Sequence, residues 1–210
     1  MKLDGTIALF QYWDRLRNGR AAPRRAEVEP ADIKAMLADT FILEQDGRGA
    51  AVFRLAGTRL CAAYGRELKG FAFSSLWAAR DQSLAARLAA GALREKTVSV
   101  TNFEGVTQQG RSCMFELLLL PLEGGVDSPR SLGSLAPMEK PYWLGNDPIM
   151  ESRIDSMRVV DPDREPMFLK NRPAIAVPSL APSSGTLSSG QDAKRRRFKH
   201  LVVIEGGRDT

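Results

Sequence analysis

Between residues 6 and 18, Leu9, Phe10, Trp13 and Leu16 recur at i, i+1, i+4 and i+7, the spacing of a single apolar helical face. Gly19 offers a stop. A helix this short is marginal in water by itself, so its apolar face must cover something. A second short helix is predicted after Pro30, through Ile33, Met36 and Leu37. The pattern then changes period. Residues 40–44 and 51–56 read as strands joined through Asp46-Gly47, a hairpin. Gly57 and Thr58 leave the second strand as a helix cap, Leu60, Cys61 and Tyr64 follow at helical spacing, and Gly65 closes the turn. Asp81 is placed to cap a longer helix carrying Leu84, Leu88, Ala92 and Leu93 on one side. Residues 97–103 and 111–121 form another strand pair around Gly110, and residues 132–143 a fifth strand.

Strand, strand, three helical pieces and three strands fit an α+β fold, a five-stranded antiparallel sheet with helices on one face. The fourth strand adds a constraint. Cys113, Phe115, Leu117 and Leu119 point one way, while Met114, Leu118 and Leu120 point the other. An antiparallel strand with one wet face alternates apolar and polar, and this one does not. The outer face therefore needs a cover, the N-terminal helix first and a partner subunit second. Residues 1–38 read as an N-terminal helical cap, 39–145 as the core and 146–210 as a C-terminal extension. Within the extension, residues 156–160 and 201–204 look like further strands. Residues 173–191, rich in Pro, Ser, Gly and Ala, read as a flexible loop between them.

Three blocks carry a resemblance. The first is YWDRLRNGRAAPRR with the following PADI, residues 12–33; the second holds Phe53, Arg54, Gly57, Thr58, Tyr64, Gly65, Leu68, Gly70 and Trp77; the third is LGSLAPMEKPYWLG, residues 132–145. Together with the terminal HLVVIEGGR they resemble a bacterial family of small single-PAS-domain proteins. The resemblance implies a PAS-like sheet wrapped by helices, with a ligand space between the two. Tyr64, Phe71, Phe73, Trp77, Phe103 and Phe115 are its candidate lining. The competing reading is that these rings simply fill the core. The resemblance also implies association through the N-terminal helix and the outer sheet face, here Leu9, Phe10, Trp13, Leu16, Met114 and Leu118. No kinase, cyclase or helix-turn-helix output segment is recognised, so the expected action is binding. The expected partner is a signalling protein such as a kinase or regulator, or a second copy as a homodimer. Arg54 is expected to face outward or to pair with Glu44.

Composition narrows the chemistry. The net charge of +5 is concentrated in Lys194, Arg195, Arg196, Arg197 and Lys199 and in Arg15, Arg17, Arg20, Arg24 and Arg25; the remainder is acidic on balance. The first run is a candidate anion site, for nucleic acid or a cyclic dinucleotide, although no nucleic-acid-reading motif accompanies it. Two cysteines, Cys61 and Cys113, are too few for a disulfide framework and read as small core residues. The single histidine, His200, lies far from the core helices. That argues against haem ligation, and with two separated cysteines it argues against zinc. Neither cysteine sits in an Asn-Cys-Arg-Phe-Leu-Gln context, which argues against a flavin–thiol adduct. No hydrolase elbow or phosphate-binding glycine loop occurs. Asp81, Glu104 and Glu116 are expected to be solvated strand and loop acids, so catalysis is not expected. No apolar run approaches the ~18 residues of a membrane helix. The start, with Asp4 and no cleavage site, does not read as a secretory leader, and a cytoplasmic location is expected.

Overall fold

The computed structural model describes residues 1–124 and 129–164. The chain divides into two units, Met1–Arg172 and Pro173–Thr210, and all described residues fall in the first. The basic run 194–199, His200, the loop 173–191 and the strand expected at 201–204 lie outside the described residues.

Among the described residues there are six strands: β1 (Thr40–Gln45), β2 (Ala51–Ala56), β3 (Val98–Thr107), β4 (Ser112–Leu122), β5 (Arg130–Pro137) and β6 (Ile149–Val160). They form one sheet in the order β2-β1-β5-β4-β3-β6, antiparallel throughout. The count corrects the five strands expected. The end of β6 is the strand expected at 156–160; its first seven residues, IMESRID, mix apolar and charged positions, and half of the strand's side chains are exposed. The fifth strand stops at Pro137 rather than at Trp143, and residues 138–148 form bends and turns.

Among the described residues, three α-helices flank the sheet: α1 (Asp4–Arg17), α2 (Thr58–Ala63) and α3 (Gln82–Arg94). Helix α1 ends one residue earlier than Gly19 suggests. Asn18 itself takes the left-handed conformation, with its N–H donating to Asp14 O, and Gly19 follows. The helix expected after Pro30 is replaced by turns and a 3-10 turn at Leu37–Asp39. Gly57, rather than Thr58, holds the cap position of α2. Asp81 stands at the cap position of α3, but its carboxylate accepts from Ile154 N at 3.0 Å instead of capping the helix.

Two apolar layers sandwich the sheet. On the inner side, α2, a 3-10 turn at Phe73–Leu76 and α3 pack on Phe41, Leu43, Phe53, Phe103, Phe115, Leu117 and Leu119. On the outer side, Leu9, Phe10, Tyr12 and Trp13 of α1, with Val28 and Ile33 behind it, pack on Ile42, Val98, Val100, Leu118, Leu120, Leu122 and Leu132. The doubly apolar β4 is thus covered on both faces, and its outer cover is α1 of the same chain. Each large side chain so buried is worth ~1.5–3 kcal/mol, which is what stabilises a helix too short to persist alone.

Two glycines let rings lie flat against the sheet. A Cβ at Gly133 would run into the Phe41 ring, and one at Gly105 would come 2.7 Å from Phe115 Cε2. Gly133→Ala is therefore expected to lower stability by ~1–3 kcal/mol in urea unfolding. Gly47→Ala, where nothing lies within 4 Å, is the matched control and should be close to neutral. Equal stability of the two variants would contradict this packing.

Candidate functional site

The inner core is organised by a chain of rings. Phe41 meets Phe53 at 5.4 Å, Phe53 meets Phe73 at 5.8 Å, and Phe73 meets Trp77 at 5.7 Å. Trp77 then contacts Phe103 at 4.9 Å, and Phe103 stacks on Phe115 at 5.1 Å. Of the six aromatic residues expected to line a ligand space, Phe73, Trp77, Phe103 and Phe115 therefore pack chiefly on one another. Phe71 lies elsewhere, 42% exposed, with the Arg66 guanidinium over its ring at 4.6 Å. Tyr64 is buried at the end of α2 and shares a 2.9 Å hydrogen bond with the Ser152 hydroxyl of β6. Burial pushes its phenol up to about 12, opposed in part by that hydrogen bond and by Arg66.

The open space lies beside this core. A cleft of about 390 Å³ runs between α2 and the ends of β4 and β5, within the size range of small-molecule sites. Leu60, Ala63, Phe115, Leu135 and Leu144 give it apolar walls, and Leu3, Asp4 and Gly5 at the start of α1 close one side. Asp39, Arg59 and Lys140 supply polar groups. Arg59 and Asp39 are bound to each other in a two-pronged ion pair, which fixes both at the rim. Only Phe115 among the expected lining residues reaches this cleft. Small residues make the space, Ala62, Ala63, Ala136 and Gly145 among them. Alanines and a glycine between larger apolar positions are weak signals in a sequence.

On the outer face, one residue overturns its sequence reading. Glu116 is 1% exposed rather than solvated. Its carboxylate accepts from Lys2 N at 2.7 Å and Leu3 N at 3.1 Å, at the positive end of α1. Further along, Trp13 Nε1 donates to Pro121 O at 2.7 Å. At the far end, buried Arg17 binds Asp14 Oδ1 and Asp163 Oδ1, both at 2.8 Å, and donates to Pro162 O. Helix α1 is tied to the sheet at its start and middle, and to the turn after β6 at its end. Leu9, Phe10, Trp13 and Leu118, expected as an association face, are consequently buried inside the chain, with Leu16 half-buried beside them; Met114 is half-buried near the start of β4. The helix–sheet contact covers this apolar surface within the chain.

Both thiols are raised by burial, Cys61 and Cys113 alike, and Cys113 Sγ also donates to Glu139 O at 3.4 Å. Neither has the low-pKa surroundings of a reactive thiolate. Among the described residues, no group of three His, Cys, Asp or Glu side chains is placed to hold a metal ion. No helix among them is long and apolar enough to cross a membrane. Arg54 pairs with Glu44 at 3.0 Å, as expected.

The family model of the PAS domain matches residues 1–136. The chain belongs to the PAS domain family. Among solved structures, the chain is similar to the PAS domain of an HTR-like protein from Haloarcula marismortui. That match has 15% identity and a TM-score of 0.38, covering 51% of this chain and 90% of that one. It is also similar to a light-oxygen-voltage domain solved in work on a flavin analogue. There identity is 15% and the TM-score 0.39, covering 53% of this chain and 87% of that one. None of the curated proteins matches the chain. Membership of the PAS family makes this chain a sensory and signalling module in broad class.

The buried Tyr64 gives a pH test. Unfolded tyrosine ionises near 10 and Tyr64 in the fold only near about 12. Its stabilising contribution is complete below pH ~10 and is lost as the pH rises toward 12. Tyr64→Phe should flatten the alkaline loss of stability over that window in chemical denaturation. An unchanged slope would contradict a buried, protonated phenol.

Proposed function

We propose that this PAS chain is a cytoplasmic sensory module that acts by binding a signalling protein, or a second copy of itself, without catalysis of its own. In this reading a small, largely apolar molecule in the cleft beside α2 sets whether α1 stays closed on the sheet. The observation that carries the reading is a pair of adjacent residues on β4. Phe115 lines the cleft on one face, and Glu116 holds the α1 amides on the other. Leu3, Asp4 and Gly5 are themselves cleft wall, so an occupant touches the start of the helix directly. A ligand shifts such an equilibrium only by its differential affinity for the two states. At a hundredfold excess over its Kd that is worth up to ~2.7 kcal/mol, comparable to the few contacts that fix the helix start.

Release of α1 would bare Leu118, Leu120, Leu122 and Leu132, a continuous apolar strip suited to a partner. Trp13→Asp places a charge against that strip and should drive the helix off. Size-exclusion chromatography with light scattering is expected to report a monomer for the parent chain at low concentration. The variant should associate and bind an apolar-surface dye more strongly. A variant that stays monomeric and binds no more dye than the parent would remove the proposal.

A further inference from the structure

The outer face carries a second feature, away from α1, at the β2 end of the sheet. Glu44 on β1 lies opposite both Val52 of β2 and Arg130 of β5 in the strand register. By alternation from Ile42 and Leu132, Glu44 and Arg130 point outward. A register shift between Ile42 and Leu43 pairs Ile42 with Leu55 and Leu43 with Phe53, which leaves Arg54 as the extra residue of a bulge. Alternation alone would put Leu55 on the inner side; instead it is 52% exposed. Bulges of this kind re-aim a side chain, and here they bring Arg54 onto Glu44.

Two more cations arrive from outside the sheet. Arg25 comes from the segment after α1, fixed by its N–H to Glu123 O at 3.0 Å and by Nη1 to Val28 O at 3.3 Å. Lys69 sits in the turn whose next residue, Gly70, donates its N–H to Phe53 O at 2.7 Å. Arg25, Arg54, Lys69 and Arg130 thus line one cleft of about 370 Å³, with Glu44 the single carboxylate among its lining residues. Glu44 is already engaged by Arg54. Arg130 Nε is shielded from solvent and has no hydrogen-bond partner among the described residues. Elsewhere the arrangement differs: Arg17, Arg20 and Arg59 each bind a carboxylate.

A shielded guanidinium N–H without an acceptor is a donor left unsatisfied, and it destabilises the fold. Arg25, Lys69 and Arg130, three cations with no carboxylate partner among the described residues, converge with the Glu44-paired Arg54 on one concavity, an excess of positive charge that a multiply charged anion would offset. A carboxylate of the chain itself could do so, and Glu44 is too occupied to serve. We propose that this cleft binds a small phosphorylated molecule through its phosphate groups. Arg130 and Arg54 would present planar donor pairs to phosphate oxygens, with Lys69 and Arg25 as flanking charges. The site shares no lining residue with the cleft beside α2 and does not depend on the sensory proposal.

Isothermal titration of the full chain with inorganic pyrophosphate and with ADP, at ~20 and ~200 mM salt, tests it. Expected is one saturable site per chain whose affinity falls as salt screens the charges. Tighter binding of ADP than of pyrophosphate would point to a nucleotide source, and equal binding to the phosphates alone. Lys69→Gln, an exposed change that leaves packing intact, and Arg130→Gln should each weaken binding by about tenfold or more. Arg87→Gln on the exposed side of α3 should leave it unchanged. So should the triple change Arg195→Gln, Arg196→Gln and Arg197→Gln. The proposal is overturned if neither probe binds at low salt, if Lys69→Gln and Arg130→Gln bind like the parent, or if only the triple change abolishes binding.

Discussion

The docking of α1 on the outer face of β4 is the contact on which the rest of this structure depends. A strand that is apolar on both sides cannot sit at a wet surface, so a layer must close over it. Leu9, Phe10 and Trp13 supply that layer from within the chain. Apolar packing alone would let the helix slide. Glu116, a charge set within an otherwise apolar strip, meets the backbone amides of Lys2 and Leu3 and fixes where the helix begins. A carboxylate buried without such partners would be costly, and a helix start without an acceptor would leave its first amides unsatisfied. Each group therefore answers the other's deficit.

This pairing makes the sheet a short path between two layers. Along β4 successive side chains alternate between the inner aromatic core and the helix-covered outer face. The inner rings from Phe41 to Phe115 are packed on one another and offer little room to move. The cleft beside α2, bounded by alanines and by the first residues of α1, is where space is left beside that packed core.

Much of the fold was legible in the sequence because it follows from periodicity. Leu9, Phe10 and Trp13 at helical spacing, and the unbroken apolar run of β4, predict a helix and a sheet face in need of each other. The family resemblance pointed to the same architecture. What escaped was what periodicity does not encode. β6 is an edge strand whose apolar positions are interrupted by Glu151, Arg153, Asp155 and Arg158, so only its end was visible. The bulge that exposes Leu55 is a register feature, invisible to alternation. Glu116 reads as a solvated strand acid until its cross-layer partners are known, because nothing local marks a carboxylate that bonds to amides more than a hundred residues away. The cleft escaped for a related reason: empty space is made by small residues, whereas the aromatic residues that draw the eye are those that fill it.

Amide hydrogen exchange on the 210-residue chain at high dilution tests the central contact most directly. If α1 is closed by its own sheet, its amides from Ile7 to Arg17 should be protected to a degree approaching those of β4, and Glu116→Ala should lower protection in α1 while leaving β4 protected. Free exchange throughout α1 in the parent chain, with β4 still protected, would contradict the account.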